Sequence, residues 1–113
     1  MINVLTILIN DQAVFEFDRD TGLDDQQLKF LDKIDSDMDR GLKMSGKLFE
    51  RPDAEQRVRF IVMNLIKALQ QDEQAIIRSS CAYLINRRPQ LVEVHVKDGE
   101  NSVEIELIDE QNN

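Results

Sequence analysis

Alternation of apolar and polar residues marks a pair of strands at each end of the chain. Residues 2–9 are apolar at six of eight positions, and residues 13–18 alternate cleanly after an Asn-Asp pair. Asn and Asp tolerate the left-handed backbone of a tight turn, so these two segments are predicted to form an antiparallel hairpin. Residues 91–108 repeat the alternation around an Asp-Gly turn. The pattern therefore predicts four strands in two hairpins.

The first strand differs from the others because it is apolar on both faces. Leu5, Ile7 and Ile9 point to one side, while Val4 and Leu8 point to the other, together with Ile2. A strand of this kind normally lies in a sheet that is covered on both faces. In so small a domain, the second cover is expected to come from another subunit. The alternative is a monomer in which the third helix or the tail of the chain crosses the second face.

Three helices are predicted between the hairpins. The first begins at Asp24, which forms a capping box with Gln27, and either Gly41 or Gly46 is suited to end it. The second begins near Pro52, which is tolerated in a first helical turn, and the third ends before Pro89.

The second helix carries more apolar residues than one stripe needs. Phe60 and Met63 lie off the main stripe, on a face shared with polar residues. A surplus of this kind indicates packing on more than one side. The side chains predicted to form an interface with a partner are Leu5, Ile7, Ile9, Val14, Phe60 and Met63.

These elements predict an α+β fold in the order ββαααββ. The sheet is expected to have four mostly antiparallel strands, with three helices packed against it. Residues 1–113 are predicted to form a single domain, because a chain of 113 residues and 13.1 kDa leaves little room for a second core. The polar tail, residues 109–113, is expected to fray.

Composition and charge narrow the environment of the chain. No apolar run is long enough to span a membrane, and the first residues lack the basic start and cleavage site of a signal peptide. The single cysteine, Cys81, cannot form an internal disulfide, so we expect a cytoplasmic protein. The net charge of the chain, −8, argues against nucleic acid as a partner, because binding to phosphates requires basic residues.

The basic residues are concentrated in the middle of the chain, and this favours an alternative. Residues 40–97 hold 11 bases and 6 acids, whereas both ends are acidic. The helical segment 40–88 is therefore a candidate site for an anionic partner such as nucleic acid. Its candidate residues are Lys43, Lys47, Arg51, Arg57, Arg59, Arg87 and Arg88.

Two segments resemble ligand-binding motifs without satisfying them. Residues 41–48 match the phosphate-loop pattern until Leu48, which stands in place of the Ser or Thr that holds magnesium, and they are predicted to link two helices. Asp35, Asp37 and Asp39 begin like a calcium loop but lack its later Gly and Glu, so a solvated acidic helix face is predicted.

The remaining reactive residue types do not form a recognisable site. Cys81 lies on the apolar stripe of the third helix and is predicted to be buried. His95 is predicted to lie on the polar face of its strand, opposite Glu104 in one register. We therefore predict no catalytic residues, no metal site and no cofactor.

The sequence favours a non-enzymatic protein-interaction domain that associates with itself as a homodimer. The surplus apolar surface and the absence of a catalytic pattern support this prediction. Binding of an anionic partner through the basic segment is the alternative, and an enzyme of unfamiliar type is third.

Overall fold

Six strands and three helices form the chain in the computed structural model, which describes residues 3–44, 46–100 and 102–111. This confirms the predicted α+β class, with a four-stranded, mostly antiparallel sheet and three helices. Ile2 and tail residues 112 and 113, on which predictions were made, lie outside the described residues. In chain order the elements are β1 (Val4–Ile9), β2 (Gln12–Asp18), α1 (Asp25–Asp39), β3 (Leu42–Met44), β4 (Lys47–Phe49), α2 (Ala54–Gln71), α3 (Gln74–Arg87), β5 (Leu91–Asp98) and β6 (Val103–Asp109).

The chain divides into two compact units. Residues 1–21 and 88–113 form the sheet unit, which contains the four-stranded sheet, and residues 22–87 form the helical unit. The prediction of a single domain stays a prediction. No helix within the described ranges is long and apolar enough to cross a bilayer.

The sheet of the sheet unit has the strand order β2-β1-β5-β6. Its two central strands, β1 and β5, run parallel, while both outer pairs are antiparallel hairpins. Parallel neighbours cannot be joined by a tight turn, because the chain must return to the same end of the sheet. The long segment between the two hairpins provides this return.

One face of the sheet is buried along its two central strands, and it contains the predicted apolar alternation. Leu5 and Ile7 of β1 lie beside Val94 and Val96 of β5, and all four are at most 1% exposed. The other face carries Thr6, Leu8, Glu93 and His95, all of which are partly exposed. Strand β1 therefore has one buried face and one partly exposed face, and the two faces are not equivalent.

The register of the second hairpin differs from the predicted one. His95 lies opposite Glu106, not Glu104, because the pairing of β5 with β6 extends as far as Asp98 and Val103. The first hairpin contains a bulge, since the register shifts between Ile7 and Leu8. Alternation predicts which face of the sheet a side chain lies on. It cannot distinguish two registers that differ by two residues, because such a shift leaves every side chain on the same face.

Capping boxes start the first two helices of the helical unit. Asp24 accepts a hydrogen bond from the Gln27 backbone N–H at 2.8 Å, and the Gln27 side chain accepts one from the Asp24 N–H at 2.9 Å. This confirms the predicted start of α1. Asp53 and Gln56 form the same box on α2. The prediction that Pro52 lies in the first turn of α2 was therefore wrong, because Pro52 precedes the capping residue Asp53.

A short hairpin stands where the sequence predicted a linker between helices. Gly41 takes a φ of +104° just after α1, and Gly46 takes a φ of +77° in the turn that joins β3 to β4. Both angles lie in the region that suits glycine. Residues 41–48 lie between α1 and α2, as predicted, but the hairpin within them was not predicted, because three-residue strands are too short to show an alternating pattern.

A tight turn joins α2 to α3 within the polar run at residues 70–74. Asp72 adopts a left-handed φ of 55°, and the Glu73 N–H donates to the Ala68 carbonyl at 2.9 Å. Val62 and Leu84 are fully buried on these two helices, as is Cys81. The predicted burial of Cys81 is confirmed.

Candidate functional site

The side chains predicted to form an interface divide into buried and accessible groups. Leu5 and Ile7 are 0% exposed, so they are not available at the surface of the chain. Ile9 is half-buried, as are Phe60 and Met63 on α2. Val14 is exposed, but it lies at the bulge of an edge strand. Of the accessible members, Ile9 and Val14 belong to the sheet unit, and Phe60 and Met63 belong to the helical unit.

The helical unit contains an apolar groove of about 710 Å³. Ile34 and Met38 of α1 line it together with Leu42 of β3, Phe60 of α2 and Ile76 of α3. Along α2 the groove extends from Phe60 to Gln71, which corresponds to about 16 Å, or three helical turns. Its size and apolar lining are typical of a surface that receives part of another molecule.

One exposed apolar side chain lines this groove, and two others neighbour residues that line it. Ile76, which lines it, is 41% exposed, and Phe30 is 50% exposed one turn before Ile34 on the same face of α1. Leu48 is 54% exposed, and its Cδ1 lies 3.7 Å from where a Cβ on Gly41 would be. We call the groove together with Phe30 and Leu48 the groove surface.

The groove carries charged residues of both signs. Lys43 and Lys67 line it, as do Asp37 and Glu73, so its lining has two positive and two negative side chains. The chain as a whole has a net charge of −8. The groove is therefore close to neutral on a strongly acidic protein.

Asp35 is the centre of a polar cluster in the helical unit. Its carboxylate accepts hydrogen bonds from Tyr83 Oη at 2.6 Å, Arg87 Nε at 3.0 Å and Arg57 Nη1 at 3.3 Å. Arg57 also pairs with Asp39, and Arg87 pairs with Asp32 at 2.8 Å. The prediction of a solvated acidic face on α1 is therefore wrong for Asp35, which ties α1 to α2 and α3.

The cluster changes the titration of its members. Burial acts to raise the pKa of Asp35, but hydrogen bonds from Tyr83, Arg87 and Arg57 and the charge of Arg87 outweigh it, so the pKa lies below its usual value. Burial raises the pKa of Tyr83, and the Asp35 carboxylate adds to that shift. The Asp35 carboxylate and both guanidinium groups have hydrogen-bonding partners within the cluster. This arrangement suits a structural role in joining the three helices.

Carboxylates engage most of the predicted anion-binding residues. Arg57 and Arg87 belong to the Asp35 cluster, and Arg88 forms a two-bond pair with Asp109 in the sheet unit. Arg59 lies 3.7 Å from Glu55. Three of the predicted anion-binding residues form no ion pair within the described ranges. They are Lys43, Lys47 and Arg51, which lie on and just after the β3–β4 hairpin.

The two side chains with reactive chemistry, Cys81 and His95, lie in different units and have different surroundings. Burial raises the pKa of the Cys81 thiol to about 12, so the thiolate is scarce near neutral pH. His95 Nε2 lies 2.7 Å from Glu93 Oε1, and both side chains are partly exposed. Among the described residues, no group of three or more His, Cys, Asp or Glu side chains is placed to hold a metal ion.

Sequence reasoning missed three of the side chains that matter most to the groove surface: Phe30, Leu48 and Ile76. A usable signal existed for Phe30, since it lies one helical turn before Ile34 and so widens the apolar face of α1. Leu48 gave no such signal because its three-residue strand is too short to show an alternating pattern.

Comparison of the chain with protein-family models, with curated proteins and with solved structures found no match.

Proposed function

We propose that this chain is a non-enzymatic protein-interaction domain that forms a homodimer through the groove surface. The observation that supports this function is the presence of exposed apolar side chains in and beside one groove. Contiguous apolar patches on a protein surface usually mark an interface. The Cys81 thiol and the absence of an internal disulfide suit a cytoplasmic setting.

The groove surface offers features that a second copy of the chain could use. Phe30 and Leu48 protrude from the same unit that contains the groove, so one surface offers both projecting side chains and a recess. A two-fold interface requires this self-complementarity, because each copy presents the same patch to the other. An exposed aromatic side chain that enters an apolar pocket is also the usual anchor of an interface.

The charges of the groove also favour a second copy. Two acids and two bases line it, so a two-fold arrangement can bring opposite charges together. Dimerisation through the sheet edges is less favourable. The edge strand β2 carries the bulge next to Val14, and the edge strand β6 carries Glu104 and Glu106, and both features discourage pairing between edge strands.

Sedimentation equilibrium tests the proposal. The wild-type chain is expected to dimerise, and Ile76→Glu and Phe30→Glu should each raise the dimer dissociation constant at least about tenfold, because a carboxylate would be buried in an apolar contact. Val103→Glu is the matched control, since Val103 is 39% exposed on β6 and lies outside the groove surface. Far-UV circular dichroism verifies that each variant is folded.

The proposal fails in two ways. A wild-type chain that stays monomeric at its highest attainable concentration contradicts self-association. A dimer that Val103→Glu weakens as much as Ile76→Glu contradicts the location of the interface.

The alternative is a binder of an anionic partner. Lys43, Lys47 and Arg51 support it, because they are close in sequence on and after one short hairpin and are not held by carboxylates within the described ranges. Titration with generic DNA and RNA at low and moderate salt tests this alternative, because phosphate binding weakens steeply as salt rises. Replacement of Lys43 and Lys47 by Gln should abolish any such binding.

A further inference from the structure

The partly exposed face of the sheet has a mainly apolar strip along β1, one of its two central strands. Val4, Thr6 and Leu8 follow one another on this face of β1, and all three are half-buried. Ile108 of β6 lies on the same face, directly opposite Glu93 of β5. Side chains of this kind in the middle of a sheet are suited to contact another apolar surface.

Glutamates surround this strip. Glu16 lies opposite Thr6, Glu106 lies opposite His95, and Glu93 lies beside Thr6 on the neighbouring strand. Glu104 lies opposite Lys97, which is the one lysine that the pairing places on this face. Four glutamates thus share the face with a single lysine, and the strip and its glutamates are here called the acidic sheet face.

We infer that the acidic sheet face binds a basic amphipathic helix of a partner protein. The apolar side of such a helix would cover Val4, Leu8 and Ile108, while its Lys and Arg side chains reach the surrounding glutamates. From Glu93 to Lys97 the face measures about 13 Å along the strands, and its four strands span about 14 Å, which accommodates two to three turns of helix.

The charge of the acidic sheet face selects against other kinds of partner. Phosphate groups of nucleic acids and anionic lipid headgroups would be repelled by Glu16, Glu93 and Glu106. Two copies of the acidic sheet face would repel each other as well, because each carries the same glutamates. The inference is independent of the proposed dimer, because the groove surface belongs to the helical unit and the acidic sheet face to the sheet unit.

A designed peptide provides the test. Its sequence, of about 14 residues, places Leu on one face of a helix and Lys on its flanks, and a matched peptide carries Glu in place of every Lys. Isothermal titration calorimetry measures affinity, and backbone amide chemical shifts locate the contact. We expect the Lys peptide to bind and to shift the amides of Thr6, Leu8 and His95, and the Glu peptide not to bind.

A charge-neutralised variant separates recognition by this face from general attraction to an acidic protein. The triple variant Glu16→Gln, Glu93→Gln, Glu106→Gln should raise the dissociation constant of the Lys peptide at least about tenfold. The control variant Asp25→Asn, Glu50→Gln, Glu55→Gln removes the same number of charges from exposed positions of the helical unit. It should change the dissociation constant by less than about twofold.

Three results would overturn the inference. One is the absence of measurable binding of the Lys peptide. Another is an equal loss of affinity in the two triple variants, which would show that only net charge matters. The third is a set of shifted amides confined to the helical unit. Sedimentation equilibrium of the same samples reports dimerisation separately, so failure of one proposal leaves the other unaffected.

Discussion

Asp24 contributes to stability through a single local contact. Its carboxylate accepts the Gln27 N–H, one of the four amide groups that a helix leaves without an internal partner at its start. We expect Asp24→Ala to lower the free energy of unfolding by about 0.5–2 kcal/mol, measured by urea denaturation. Asp24→Asn retains a capping oxygen and should lose much less. Equal losses in the two variants would contradict a capping role.

Cys81 should be nearly inert in the folded protein. It is 0% exposed, and burial raises its thiol pKa to about 12, so both access and thiolate formation are suppressed. A thiol reagent at neutral pH should label it slowly in buffer and rapidly in denaturant. Rapid labelling of the native protein would show that α3 opens locally or that the thiol is activated.

Asp35 should make stability depend on pH in the acidic range. Its folded-state pKa is lowered, so the ionised form stabilises the fold above the unfolded pKa of about 3.9. That contribution is lost as the pH falls from this value through the folded-state pKa. We expect Asp35→Asn to cost about 1.5–3 kcal/mol at neutral pH and progressively less as the pH is lowered through this range.

Urea denaturation of wild type and Asp35→Asn across that pH range measures the difference. Asp20→Asn is the control, because Asp20 is exposed in the sheet unit and outside the Asp35 cluster. A stability difference for Asp35→Asn that does not change with pH would show that packing, rather than charge, accounts for its loss.

At the scale of elements, Gly41 decides how α1 passes into the β3–β4 hairpin. Its φ of +104° is costly for any residue with a Cβ, and a Cβ there would lie 3.4 Å from the Phe49 carbonyl oxygen. Gly41→Ala should therefore lower the free energy of unfolding by about 1 kcal/mol or more. Gly22→Ala is the control, because a Cβ at Gly22 meets nothing within 4 Å. Equal effects would contradict the conformational explanation.

The elements that sequence patterns located are those long enough to complete several periods. The helices α1 and α2 show repeated apolar spacing and capping residues, and β5 and β6 alternate over seven or eight positions. The strands β3 and β4 have three residues each, so neither periodicity can be recognised in them. Their pairing depends on two glycines with positive φ, which resembled helix stop signals in the sequence.

At the scale of the whole molecule, Ile7 should be essential for folding. It is 0% exposed on the buried face of the sheet, so Ile7→Lys would bury an unpaired charge. We expect loss of the cooperative unfolding transition in thermal denaturation followed by circular dichroism. Val14→Lys is the control, because Val14 is 44% exposed on the same hairpin and should remain folded. A folded Ile7→Lys protein would contradict the burial of this strand face.

The sequence by itself determined the type, order and face assignment of the long elements. Local periodicity and capping chemistry specify these features, as the start of α1 at Asp24 and the burial of Cys81 illustrate. The sequence also indicated surplus apolar surface on α2 through Phe60. Each of these predictions depends on residues that are close along the chain.

The tertiary structure alone decided which distant residues meet. Alternation could not order the strands, so the parallel pairing of β1 with β5 and the position of His95 opposite Glu106 emerged only in the sheet. The sequence indicated that Arg57 and Arg87 could bind an anion. In the structure both bind Asp35 of α1, which is 22 and 52 residues away from them along the chain. Such contacts depend on the path of the whole backbone, and a local pattern of residue types carries no information about them.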